Sequence, residues 1–421
     1  MRKAALAAFL ILLSLLTLSP AQAEKLSLQP LIDEALKNNH EVLNLSAKTA
    51  AYRHRIPQVK SLPDPMFMFG YQNEGWEKFT YGEAQDAQFM FSLSQTFPFA
   101  GKLPLKGEMA SQEAEAVEAD LQTARQRTVE KVRSLYYDLF LSHKSIEIIL
   151  DTTALFSRIE EAALSRYSSG KGLQEEVLMA QTEKYILLEK EEMLRQRVQT
   201  LEAMLNATLG RDVNAPLGIP EEPPLPPYAF ALGELISLAE ANSPDIQASA
   251  KMIASAETRV KLAEREYYPD ITVTGNVMAR KNFDDMWSLT AAINLPIFYR
   301  TKQREGVKEA EAMLSLARHD LDGKRSMIAS SIRENYAMIK TAERLMELYR
   351  KGIITKFYQD LDLALSGYIT GRVEELTVIN RVKSIIEYEN MYWIQAVEKV
   401  KAMARVEALT GRALKGDLKN E

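Results

Sequence analysis

Apolar residues recur alternately three and four positions apart over two long stretches of the chain. Between residues 102 and 168 this stripe runs Val132, Leu135, Leu139, Ser142, Ile146, Ile149, Thr153, Phe156. A return arm ending at residue 209 carries Leu187, Glu191, Leu194, Val198, Leu201 and Leu205, with Glu, Lys, Arg and Gln between them. Such spacing is the heptad seam of helices that pack along their length. No Pro interrupts either arm after Pro104, so residues 102–168 predict one helix of about 100 Å. A helix that long needs a partner, and the chain is expected to reverse at Ser168-Ser169-Gly170-Lys171-Gly172 to supply one.

The device appears twice. Residues 302–368 carry a second seam at Ile328, Ile332, Asn335, Ile339, Ala342, Met346, Tyr349 and Ile353, followed by a break at Gly371. The return arm then runs Ile379, Val382, Ile386, Glu389, Trp393, Ala396, Val400, Met403. Glycines 170 and 371 at the tips, and 210 and 411 at the ends, are each separated by 201 positions. An internal duplication is therefore predicted.

Each half opens with two shorter helices, which end at Pro63-Asp64 and Pro269-Asp270. Period-two alternation follows. Phe89, Phe91, Leu93 and Phe97 share a face opposite Met90, Ser92, Ser94 and Thr96. Ile271, Val273 and Val277 oppose Thr272, Thr274 and Asn276, and Trp287, Leu289, Ala291, Ile293 and Leu295 oppose Ser288, Thr290 and Asn294. With the weaker segment from Met66, strands are expected at about 66–73, 87–97, 270–279 and 286–296. One apolar face and one small polar face suit a lipid-facing, water-lined barrel; a sheet covering a soluble core shows the same alternation. Even the smallest membrane barrels need about eight strands, so a spanning chain must oligomerise, and three copies would supply twelve.

Composition narrows the setting. Arg2 and Lys3, the apolar run Ala4 to Leu18 and Ala21-Gln22-Ala23 read as a signal peptide, residues 1–23. Its removal from the 421 residues leaves 398, with 50 basic side chains against 57 acidic, a net charge of −7 and no bias toward nucleic acid. There is no Cys, hence no lipidated N-terminus, disulfide or thiolate metal site. With no other apolar run of spanning length, a membrane span must be a barrel. Six prolines make residues 211–229 an extended strap. The predicted organisation is a signal peptide 1–23, a first repeat 24–210 with its long hairpin at 102–209, the strap 211–229, a second repeat 230–412 with its hairpin at 302–409, and a tail 413–421.

Together these features resemble the TolC-like outer-membrane efflux proteins. The resemblance rests on the duplicated helix-strand-strand-helix-helix order, Pro-Phe-Ala-Gly-Lys at 98–102, the tips Tyr167/Gly170 and Tyr368/Gly371, and Leu-Gly-Arg at 209–211. Leu62-Pro63-Asp64-Pro65 and Phe97 to Lys102 lean toward the CusC/CzcC heavy-metal-efflux branch. The resemblance implies a mainly α fold with a small β part: a homotrimeric, twelve-stranded outer-membrane β-barrel continued by a periplasmic α-helical coiled-coil barrel. It also implies partners, namely a periplasmic adaptor (membrane fusion) protein, an inner-membrane pump of RND type and outer-membrane lipid. The function implied is a passive exit duct; a periplasmic coiled-coil scaffold explains the helices but leaves the strands without a purpose.

No catalytic constellation is present. His40, His54, His143 and His319 stand alone, without a metal-binding pair, P-loop or nucleophile elbow. No enzyme, cofactor or metal centre is expected. The strand-associated Met66, Met68, Met90, Met278 and Met286 read as apolar packing, thioether chemistry being the alternative. Trp76 and Trp287 suit an interfacial aromatic girdle. Adaptor docking is expected at Ser169, Gly170, Lys171, Thr370 and Gly371, where glycine permits the positive φ of a tight turn. In the family's type member two Asp on the last arm form a ring at the entrance; the corresponding positions here are Thr377 and Asn380, so that ring is absent. Glu175, Glu176, Glu374 and Glu375, beside Lys171 and Arg372, are expected to line the entrance and favour cations. Complementing a helix N-terminus is their ordinary alternative role.

Overall fold

A computed structural model describes residues 25–412. The signal-peptide and tail segments, 1–23 and 413–421, lie outside the described residues. The helices are α1 (Leu28–Asn38), α2 (His40–Lys60), α3 (Lys102–Ser168), α4 (Gln174–Leu209), α5 (Leu232–Asn242), α6 (Pro244–Arg265), α7 (Gln303–Glu347), α8 (Thr355–Ile369) and α9 (Glu375–Thr410). The strands are β1 (Lys25–Leu26), β2 (Met66–Gln72), β3 (Gln88–Phe97), β4 (Ile219–Pro220), β5 (Ile271–Ala279) and β6 (Met286–Ile293). The chain forms two compact units. One comprises the described residues up to Leu43, Ala124–Ala241 and those from Ile328 onward; the other comprises Asn44–Thr123 and Asn242–Met327.

In the first unit four helical arms bury their seams against one another. Ile149, Phe156, Ile159 and Ala163 of α3 meet Val177, Ala180 and Leu187 of α4, Leu361, Ala364 and Tyr368 of α8, and Val378, Ile379 and Val382 of α9. A second cluster adds α1, whose Leu31, Ile32 and Ala35 pack with Val132, Leu135 and Leu139 of α3 and Leu201, Leu205 and Leu209 of α4. Gly210 ends α4 at φ 74°, and a Cβ there would come within 2.8 Å of the Asn38 carbonyl oxygen. Both the left-handed conformation and the close approach require glycine. Beside it, Arg211 donates to both carboxylate oxygens of Glu34, its Nε at 2.6 Å from Oε1.

The proline-rich strap is held by side chains, since proline offers no N–H. Lys399 donates to the Pro226 carbonyl at 2.6 Å and Lys340 to that of Tyr228 at 2.7 Å, while Glu343 accepts the Tyr228 amide at 2.8 Å. Tyr136 links β1 to the strap, donating to the Leu26 carbonyl and accepting from the Glu221 amide.

The sequence predicts an unbroken helix over 302–368, and here the structure differs. A π-helical segment, Leu348–Ile354, joins α7 to α8. A π turn holds one extra residue. Continued at three-four spacing from Ile353, the seam would fall on residues 356, 360, 363 and 367; the inward positions are instead Phe357, Leu361, Ala364 and Tyr368, each displaced by one. Gly352 sits inside this segment, with no Cβ to crowd the widened turn.

The second unit holds a four-stranded antiparallel sheet in the order β2-β3-β5-β6. Its base is pinned by buried Lys102, whose ammonium contacts Asp270 at 2.9 Å, Glu266 at 3.2 Å and the Tyr268 carbonyl at 3.1 Å. Asp270 also accepts the Phe99 amide at 2.8 Å, and Phe99 stacks on Tyr268 with centroids 4.5 Å apart. The same unit packs α2 against the start of α3 with ion pairs such as Arg55–Glu113 at 3.0 Å.

Candidate functional site

Two surfaces are candidates, one in each unit. In the first unit, the tip α3–α4 closes with the Lys171 amide on the Arg166 carbonyl at 2.9 Å and Gly170 at φ 70°. The tip α8–α9 repeats this, with the Arg372 amide on the Gly367 carbonyl at 2.8 Å and Gly371 at φ 75°. These six-to-one bonds around a left-handed glycine satisfy the last carbonyls of each helix. Ser169 and Thr370 occupy matching places, their hydroxyls bonded to the Ser165 and Ser366 carbonyls. Ser169, Gly170, Lys171, Thr370, Gly371 and Arg372 are all exposed.

Behind the tips the two hairpins are joined by a polar cluster. Arg166 donates through Nη1 to the Tyr368 carbonyl at 3.0 Å and through Nη2 to the Lys171 carbonyl at 3.1 Å. Its guanidinium lies 4.9 Å from the centre of the Tyr368 ring, a cation–π contact. The Tyr368 hydroxyl donates to Glu176 Oε2 at 2.9 Å, and Arg166 Nε stands 3.6 Å from the same oxygen. Burial, and then the Glu176 carboxylate it bonds, raise the Tyr368 phenol and keep it a donor.

The four candidate glutamates divide by environment. Glu175 and Glu374 are exposed, and Glu176 is half-buried in the cluster. Glu375 is buried at 3% exposure, and neither of its carboxylate oxygens has a hydrogen-bond partner among the described residues. Burial, reinforced by the charge of Glu176, pushes its carboxyl up to about 7. Arg166 and Tyr368 were not among the sequence candidates. Register aligns Tyr167 with Tyr368, yet Tyr167 is exposed and Tyr368 fully buried. The available signal was that Arg166 aligns with a glycine, Gly367, so that only one repeat carries a side chain there; the glycine facing the guanidinium is Gly371, where a Cβ would come within 3.3 Å of Arg166 Nη1.

In the second unit the sheet leaves its apolar face bare. Phe67 is 68% exposed, Leu289 70% and Trp287 79%, and Leu93, Val277 and Ile293 are open as well. The opposite face carries Ser, Thr, Asn and Gln side chains together with methionines: Ser92 meets Asn276 at 2.5 Å and Thr96 meets Thr272 at 3.0 Å. A sheet over a soluble core would bury the apolar side. Strands β2 and β6 are the edges of the sheet, each paired on one side only among the described residues. No helix among the described residues is long and apolar enough to cross a membrane.

The family model described as outer membrane efflux protein matches residues 31–211 and 235–380. The chain belongs to the outer membrane efflux protein family. Solved structures agree in fold. CusC is 15% identical, with a TM-score of 0.80 over 92% of this chain and 92% of that one. VceC from Vibrio cholerae is 18% identical, with a TM-score of 0.77 over 91% and 96%. CmeC from Campylobacter jejuni, described as an outer membrane channel, is 14% identical, with a TM-score of 0.78 over 94% and 90%. No curated protein is matched by sequence. Within the outer membrane efflux family this chain is a mainly helical outer-membrane channel protein.

Proposed function

We propose that the protein is the outer-membrane duct of a tripartite efflux assembly, a passive exit for substrate delivered by an inner-membrane pump of RND type through a periplasmic adaptor. The observation that carries this reading is the four-stranded sheet with an exposed apolar face, an opposite polar face and two unpaired edges. Four strands cannot close, and a bare edge is a template for another chain. Three copies, pairing β6 of one with β2 of the next, give a twelve-stranded barrel. Residues 1–23 direct export, the repeats 24–210 and 230–412 are joined by the strap 211–229, and 413–421 is a tail.

The tips serve the adaptor. Exposed Ser169, Gly170, Lys171, Thr370 and Gly371 stand with exposed Leu164, Leu173, Ile369 and Leu376, an apolar surface around a polar turn. Glu175, Glu374 and Arg372 border the entrance. Glu176 and Glu375 act from behind it, through the cluster that joins the hairpins.

Native mass measurement of the detergent-extracted protein tests the assembly. A mass of three chains is expected, and a monomer that conducts ions in planar bilayers contradicts it. Single cysteines at Ser169 or Thr370 are expected to crosslink to the adaptor in cells. Crosslinking from Ser142 with none from the tips overturns the docking assignment.

A further inference from the structure

The four strands of the sheet contain five methionines, and all five lie on the polar face. Register pairs Met66 with Ser94, Met68 with Ser92, Met90 with Met278, and Met278 with Met286. Paired residues in a sheet point to the same side. The methionines therefore share the side of Ser92, Asn276, Thr96 and Thr272, whose side chains bond one another. The other side holds the Phe69–Phe89 and Tyr71–Phe89 contacts at 5.9 and 5.0 Å and not one methionine.

This segregation is not what a gap filler shows. A methionine used only for its bulk would also stand on the apolar side, whose large side chains are Phe, Tyr, Leu, Ile, Val and Trp with Gln95 the one polar residue in the strands. On the polar side no Leu, Ile, Val or aromatic residue occurs within the strands; the only large apolar side chains there are thioethers. What distinguishes a thioether from those hydrocarbons is a sulfur lone pair, which ligates soft cations.

Three of the methionines form a lateral row, Gly70–Met90–Met278–Met286, across all four strands. Neighbouring positions in such a row have Cβ atoms about 5 Å apart. With three rotatable bonds each, the sulfurs can converge on one centre. Gly70 completes the row beside Met90 without a side chain of its own. The polar face of these strands carries no Asp, Glu or His, so a hard divalent cation finds neither charge nor imidazole.

We propose that Met90, Met278 and Met286 form a thioether site for a soft monovalent cation, Cu(I) or Ag(I), on the water-facing wall of the barrel. This rests on the reading of the sheet as a barrel wall with its polar face toward the lumen. Neutral thioethers do not compensate the ion's charge, so the site holds its cation in exchange with the lumen, as passage through a duct requires.

The test is titration of the full chain in detergent with silver nitrate in chloride-free buffer, by calorimetry and by silver-edge X-ray absorption. Wild type is expected to bind one more equivalent per chain, with sulfur scattering, than the variant M90L/M278L/M286L, which keeps apolar volume. The variant M66L/M68L should retain that equivalent. Equal binding by wild type and the triple variant overturns the proposal. The wall reading is measured separately in proteoliposomes with a membrane-impermeant maleimide, on single cysteines in a chain that has none. Labelling of Ser94→Cys with protection of Leu93→Cys supports lumen exposure. The reverse removes the barrel wall, and with it the lumenal site, whatever the silver titration gives.

Discussion

Glu375 is the residue whose environment departs furthest from its position in the sequence. At the start of a helix a glutamate is ordinarily a solvated charge that complements the dipole. Here it is buried, with Glu176 of the other hairpin adding its charge, and its carboxyl is pushed up to about 7 from 4.5. The folded state then holds a proton that the unfolded chain has released. Its contribution to stability is fully present below about pH 4.5 and is lost as pH rises through about 7. The tip cluster should therefore loosen above neutrality, and Glu375→Gln should flatten that dependence. Hydrogen exchange of residues 365–380 between pH 5 and 8 measures it; an identical profile in wild type and Glu375→Gln would contradict the assignment. Tyr368→Phe removes the bond to Glu176 while keeping the ring under Arg166. A net cost of about 1.5–3 kcal/mol, appropriate to a hydrogen bond to a charged group, should appear as faster exchange at the same tip. The tip glycines and their exposed flanks were legible because a reversal needs a left-handed residue. Burial of Glu375 was not, because the carboxylate beside it, Glu176, belongs to the other hairpin about two hundred positions away.

At the scale of elements, the seams were the most legible feature, since Val132, Leu139, Phe156, Leu205, Ile332, Ile339, Ile379 and Ala396 all prove fully buried. The π segment at Leu348–Ile354 escaped notice because every residue on both sides of it is compatible with helix; only the phase of the seam changes. That phase shift predicts an asymmetry between deletions. Removing Gly352 takes out the extra residue and should leave Leu361, Ala364 and Tyr368 facing inward. Removing Thr341 from α7 should rotate the seam on one side of the deletion and lower the melting temperature sharply. Thermal unfolding followed by circular dichroism compares the two, and equal losses would contradict the one-residue account. At the other end of the hairpin, Gly210→Ala should cost at least about 1–2 kcal/mol from the left-handed backbone alone, with crowding of Asn38 added.

For the whole molecule, alternation along the strands was visible in the sequence, but its meaning was not. Phe89-Met90-Phe91-Ser92 reads alike over a soluble core and against lipid. What separates the two is whether anything covers Phe67, Leu289 and Trp287, a tertiary fact, and in the second unit they stand open. Family membership gives that openness its setting in the outer membrane. In the proposed trimer this sheet is one third of a barrel wall, polar toward water and apolar toward lipid. The most direct measurement is labelling of single cysteines along β6, at positions 288, 289, 290 and 291, in intact outer membranes with a water-soluble maleimide. Reaction at 288 and 290 with protection at 289 and 291 is expected; reaction at all four, or at 289 and 291 alone, would overturn the barrel wall.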